Sequence, residues 1–132
     1  MADLLIVEDD DALRDALQEV LTRLGGHEVR AAKSGQAALS AVESGMPDLI
    51  ISDVRMPGIT GTQLLDKVRT RRQWRHIPFL FISASIVEEV EREIAALDGV
   101  FYLRKPFKVE SIQEAVITAL KTSSRVTRSD NA

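Results

Sequence analysis

At 132 residues, with 45% apolar and 28% charged side chains, the chain has ordinary values for one soluble globular domain that buries a single core unaided. It has no cysteine, which removes disulfides, thiolate metal sites and cysteine nucleophiles together. The net charge of −3 gives no general drive toward nucleic acid, and no apolar run approaches the roughly 20 residues a bilayer span requires.

The first apolar run, Leu4-Leu5-Ile6-Val7, predicts a strand over residues 4–8 and stops at four acids, Glu8-Asp9-Asp10-Asp11. Met-Ala-Asp enters that strand at once and leaves no room for a signal peptide, so a cytoplasmic, N-terminal or free-standing domain is expected. Leu13, Leu17, Val20, Leu21 and Leu24 then recur at helical spacing until Gly25-Gly26. The next segment, His27-Glu28-Val29-Arg30-Ala31-Ala32, alternates polar and apolar and reads as an edge strand over 28–32. Ser34 has the character of an N-cap for a helix carrying Ala37, Ala38, Ala41 and Val42, closed by Gly45 and Pro47.

A third strand is predicted over 48–53, where Leu49-Ile50-Ile51-Ser52 ends in Asp53, followed by the loop-forming Val54-Arg55-Met56-Pro57-Gly58. Leu64, Leu65 and Val68 mark a third helix, and Pro78 bars it from the strand at 79–83. Residues 67–76 carry five Lys or Arg and a tryptophan, read as a solvated helix end or as a docking patch for an acidic partner. Val87, Val90, Ile94 and Leu97 mark a fourth helix closed by Gly99, and Phe101-Tyr102-Leu103 a fifth strand over 100–103 that runs into Arg104-Lys105-Pro106. Val109, Ile112, Val116, Ile117 and Leu120 mark the last helix; the domain is expected to span 1–121, with 122–132 a polar, disordered tail.

Strands alternating with helices imply an α/β fold, a doubly wound parallel sheet with helices on both faces. Sites in such sheets lie beyond the carboxyl ends of the strands, and there the chain places an acid cluster, a lone acid and a lysine. If the first and third strands are neighbours, Glu8, Asp9 and Asp53 converge, and three such carboxylates either raise their pKa values or bind a cation. Oxygen-only donors favour a hard ion, Mg²⁺ in particular. Lys105 can offer a point charge and Ser83 a hydroxyl to a phosphoryl group, with Asp53 either metal ligand or nucleophile. Taken singly, each has a plainer role: Asp10 and Asp11 as helix caps, Ser83 as a strand serine, Lys105 as a surface lysine, Tyr102 as a half-buried aromatic.

Their conjunction resembles the receiver domains of bacterial two-component response regulators, from Asp3 to about Leu120. The matching pieces are Leu4 to Asp10, Pro47 to Gly61, Pro78 to Ala84 and Tyr102 to Phe107, in order and at family spacing. The resemblance implies a flavodoxin-like five-stranded sheet in the order 2-1-3-4-5. It also implies that Asp53 accepts a phosphoryl group from a phosphohistidine on a sensor histidine kinase or histidine phosphotransfer protein. Asp9, Asp53 and the Arg55 backbone carbonyl would ligate Mg²⁺, with Glu8 acting through a bound water. Lys105 would pair with the phosphoryl group, Pro106 would follow a cis peptide, and Ser83 and Tyr102 would be switch residues. A downstream protein would then read the face built from the fourth helix, fifth strand and fifth helix. No direct nucleic-acid or membrane contact is implied, and a homodimer is left open.

Glu8 stands where many members have Asp, and Ser83 where Thr is also frequent. Two other readings compete. A pseudo-receiver would keep the fold as an interaction module without phosphorylation. A haloacid-dehalogenase-type Mg²⁺ phosphatase would use Asp9 and Asp11, but it leaves Asp53 without a role and lacks an acidic metal pair after the lysine.

Overall fold

Alternation along the strands sorts the core into two halves, one on each face of a single sheet. The computed structural model describes residues 2–84 and 88–131, with the side chains of residues 88, 89, 95 and 123–131 outside the description. Strands β1 (Asp3–Val7), β2 (Glu28–Ala32), β3 (Leu49–Asp53), β4 (Phe79–Ser83) and β5 (Val100–Arg104) pair in parallel in the order β2-β1-β3-β4-β5. They alternate with helices α1 (Asp11–Arg23), α2 (Gly35–Ser44), α3 (Gly61–Arg69), α4 (Glu88–Ala95) and α5 (Val109–Asn131). This is the expected doubly wound arrangement, with β2 at an edge.

Because side chains alternate along a strand, Leu5, Val7, Ile50, Phe79 and Phe81 meet α2, α3 and α4 through Ala38, Val42, Leu64, Val68 and Ile94. Leu4, Ile6, Leu49, Ile51, Leu80 and Ile82 meet α1 and α5 through Leu17, Leu21, Ile112 and Val116. β3 and β4 are buried on both faces along their whole length, which is why their sequences are nearly continuous apolar runs. Each such Leu or Ile contributes roughly 1.5–3 kcal/mol of transfer free energy.

The helix starts follow their caps. The Asp10 side chain accepts the Leu13 N–H, Ser34 accepts that of Ala37, and Thr60 with Gln63 forms a capping box at α3. Asp11 is the first residue of α1 and pairs with Arg14 instead of capping. At the edge, Arg30 donates to the carbonyls of Ala41 at 2.8 Å and Gly45 at 2.6 Å, satisfying the open end of α2, and lies 3.3 Å from Asp3.

Two features go beyond the periodicity. A 3-10 turn at Arg72–Trp74 follows α3 and inserts Trp74 into the core. α5 continues to Asn131, past Leu120 where the apolar period ends. Val87, marked for the fourth helix, lies outside the described residues, and α4 begins at Glu88.

α3 abuts the end of β3. The Gly61 N–H donates to the Val54 carbonyl at 2.9 Å, and a Cβ on Gly61 would strike the carbonyl of Asp53. Gly61→Ala is therefore expected to cost about 1–3 kcal/mol in urea unfolding. Gly45→Ala, whose Cβ would meet only the Arg30 guanidinium at 3.8 Å, serves as the tolerant control. Equal stability of the two variants would disprove this packing constraint.

Candidate functional site

Parallel pairing sets the site. Val7 is opposite Ser52 and Asp53 is opposite Ile82, so the residues that follow β1 and end β3 lie side by side. Glu8 and Asp53 share the strand parity of the residues that face α1 and α5, and Lys105 continues the same parity from Phe101 and Leu103. The Lys105 ammonium accordingly donates to Glu8 Oε1 at 3.2 Å and to Asp53 Oδ2 at 3.1 Å. One carboxylate oxygen from each of Glu8, Asp9 and Asp53 lies within 4.8 Å of the others. Glu8 is 1% exposed and Asp53 8%, whereas Asp9 faces solvent. The site is thus a carboxylate pair sunk in the sheet end, with a third acid at its mouth.

Burial pushes the Glu8 carboxyl above its usual range and the neighbouring Asp53 charge adds to this, while the Asp10 N–H and Lys105 oppose. Burial pulls the Lys105 ammonium down, but its bonds to Asp53 and Glu8 outweigh that and hold it above the usual lysine range. A pair of partners normally shifts in opposite directions. Here both shift upward, because Glu8 is almost wholly removed from water and a single ammonium shared with Asp53 does not offset that.

The remaining expected residues surround this core. The Arg55 N–H donates to Asp53 Oδ1 at 3.2 Å, which turns the loop back over the acid, and the Arg55 side chain is exposed. Ser83 ends the neighbouring strand, buried, and its carbonyl accepts the Lys105 N–H at 2.9 Å. Tyr102 has the opposite parity to Lys105, so it packs toward α4 rather than into the acid cluster. Its hydroxyl reaches the Ser83 carbonyl at 3.5 Å, the outer limit of a hydrogen bond. The Lys105–Pro106 peptide is cis.

Two contributors were not visible in the sequence reading. Arg14 donates to the Glu8 carbonyl at 3.0 Å and pairs with Asp11, which ties the acidic loop to the first turn of α1. Its only signal was an i,i+3 relation to Asp11. Gly61, at a helix start where glycine has no intrinsic advantage, marks the close approach to Asp53.

Residues 4–117 match the family described as the response regulator receiver domain. The chain belongs to that family. It is 43% identical over 117 residues to the response regulator protein FleR of Pseudomonas aeruginosa, covering 87% of this chain but 24% of FleR. It is 38% identical to YrkP, an uncharacterised transcriptional regulatory protein of Bacillus subtilis, and spans 49% of it. The chemotaxis protein CheY of P. aeruginosa is 32% identical, with 86% of this chain and 91% of CheY covered. Among solved structures, CheY4 of Vibrio cholerae superposes with a TM-score of 0.83 at 31% identity, covering 90% of this chain and 98% of that one. The receiver is a signalling domain of two-component systems, and its buried acids suit a metal. Among the described residues, no helix is long and apolar enough to cross a membrane.

The raised Glu8 pKa has a consequence for metal-free protein. A group whose folded pKa is raised stabilises the fold below its unfolded pKa and loses that contribution as pH rises through the folded value. At neutral pH, ionised Glu8 therefore opposes folding, and Glu8→Gln in a chelator is expected to stabilise the protein. The gain should appear as a higher melting temperature than the parent's at neutral pH. The gap should narrow as pH falls toward 4.5, the ordinary glutamate value. An unchanged or lower melting temperature at neutral pH would show that the Lys105 bond outweighs burial.

Proposed function

We propose that the protein is a phosphoacceptor signalling domain in which Asp53 takes a phosphoryl group from a phosphohistidine on a sensor histidine kinase or histidine phosphotransfer protein. The observation that carries this is the Asp53 carboxylate, fixed at a strand end with Lys105 at 3.1 Å and two further carboxylates beside it. One Asp53 oxygen attacks phosphorus as the bond to the donor imidazole nitrogen breaks, and the bonding pair leaves with that nitrogen.

The donor set is oxygen only and partly open to water, which fits Mg²⁺. Asp9, Asp53 and the Arg55 carbonyl would hold it, Glu8 acting through a bound water, and the ion would supply positive charge toward the phosphoryl oxygens. Lys105, released from Asp53 as that carboxylate becomes an acyl phosphate, keeps its bond to Glu8 and turns its free protons to the new oxygens. The protein's own part is thus a fixed nucleophile, a fixed counter-charge and a loop that leaves one side open for the donor.

Phosphorylation adds roughly −1.5 to −2 charge where one carboxylate stood. Ser83 ends β4 beside the acids, and movement of its hydroxyl would free Tyr102 to turn inward. Arg104 pairs with Glu91 at 2.6 Å, so β5 and α4 are already tied around Tyr102. The face of α4, β5 and α5 is the surface a downstream protein would read.

Intact mass after incubation with acetyl phosphate and Mg²⁺ should show one added phosphoryl group, absent with chelator and absent in Asp53→Asn. No gain in folded protein would instead mark a pseudo-receiver. Arg55, exposed at the mouth, shields the acyl phosphate from water, so Arg55→Ala should shorten its lifetime several-fold; an unchanged dephosphorylation rate would refute that role.

A further inference from the structure

Five of the chain's 17 Lys and Arg fall within residues 67–75, although the chain as a whole is acidic. The fold gives these five different work. Arg69 turns inward, donating to the Ile77 carbonyl at 2.6 Å with its guanidinium over the Phe79 ring. Arg71 lies over the Trp74 ring at 4.4 Å and pairs with Glu43 of α2 at 2.9 Å. Lys67, Arg72 and Arg75 are exposed and make no salt bridge among the described residues. Two cations are structural, and three are left facing solvent around them.

Between α2 and the α3–Trp74 turn lies an open groove of about 350 Å³, with Ser40 and Glu43 on one wall and Lys67, Thr70, Arg71 and Trp74 on the other. Its lining is more polar than apolar, so it offers hydrogen bonds and charge instead of a greasy slot. Arg71 rests over the Trp74 ring and already engages a carboxylate, that of Glu43. The groove thus shows in its own chain the contact it would make with an acidic visitor.

We propose that this groove is a docking surface for an acidic polypeptide segment. Carboxylates of that segment pair with Lys67 and compete with Glu43 for Arg71, and the exposed Arg72 and Arg75 of the adjoining turn extend the positive surface beyond the groove. Charge complementarity selects the partner class. Three unpaired cations flanked by Glu43 and Asp66 are too few, and too interrupted by acids, for a phosphate backbone, where binding rests on many neutralised phosphates. Alternating short side chains with planar arginine forks are better matched to a peptide bearing spaced carboxylates.

The position adds a functional consequence. α3 begins against Asp53, and its far end, with Lys67, Thr70 and Arg71, forms one wall of the groove, while the other wall runs along α2 from Gln36 to Glu43. The nine residues of α3 put about 13 Å between the two ends. A partner seated there leaves the acceptor mouth open, and docking is independent of the chemistry at Asp53.

Trp74 is the chain's sole tryptophan, so the groove carries its own reporter. The experiment titrates the protein with end-capped hexaglutamate, following Trp74 emission and, in parallel, heat by calorimetry. Saturable binding with a Kd on the order of 1 mM or tighter is expected. The triple variant Lys67→Ala/Arg72→Ala/Arg75→Ala, all at exposed positions, should weaken it about tenfold or more, and Asp53→Asn should leave it unchanged. Absence of binding by both readouts, equal binding to the triple variant, or tighter binding of a single-stranded oligonucleotide of equal charge would each overturn the proposal.

Discussion

Everything at the active end of this molecule depends on one electrostatic constraint: two carboxylates, Glu8 and Asp53, are delivered by neighbouring parallel strands into the same nearly dry corner. Left alone they would repel, and one would hold its proton. The Lys105 ammonium, 3.2 and 3.1 Å from the two, makes the arrangement tenable without metal. That lysine arrives on β5, two strands away from β3, and only the closed register of β3, β4 and β5 carries it across. The sheet is therefore less a container for the site than the means of bringing its three charges together.

The same parity that gathers the charges separates them from Tyr102. Odd-and-even alternation sends Glu8, Asp53 and Lys105 toward α1 and α5, and sends Tyr102 toward α4. Ser83 stands between, buried, with its carbonyl touched by both the Lys105 N–H and the Tyr102 hydroxyl. A change at the acids thus has a short physical path to the far face, through a residue that both sides already contact.

Much of this was legible in the sequence, for identifiable reasons. Strands buried on both faces announce themselves as unbroken apolar runs, and residues that end them are fixed at the sheet's carboxyl edge, so Glu8, Asp53 and Lys105 could be singled out before any geometry was known. Helix caps such as Ser34 were legible because their chemistry is local. What stayed hidden depends on contacts between distant segments. Trp74 entering the core from a 3-10 turn has no periodic signature, and neither has Arg14 reaching back to the Glu8 carbonyl. The sharing of Lys105 between two acids, and the burial that pulls Glu8 upward against it, required the actual distances. In sequence the basic stretch is a solvated helix end or an acidic partner's docking patch taken whole, yet folding divides it into cations that hold the core together and cations that face outward.

Arg30 has a consequence beyond the helix end that it satisfies. β2 is an outer strand, and an outer strand presents unpaired backbone groups along one side, a template on which a foreign strand could grow. Arg30 sits in the middle of that strand with its guanidinium anchored to the carbonyls of Ala41 and Gly45 and to Asp3. An invading strand would have to lie beside a fixed, hydrated charge and would gain no apolar cover there. The arginine that finishes α2 also works as a guard against runaway sheet extension, so resistance to aggregation is built into the same few bonds that finish the fold.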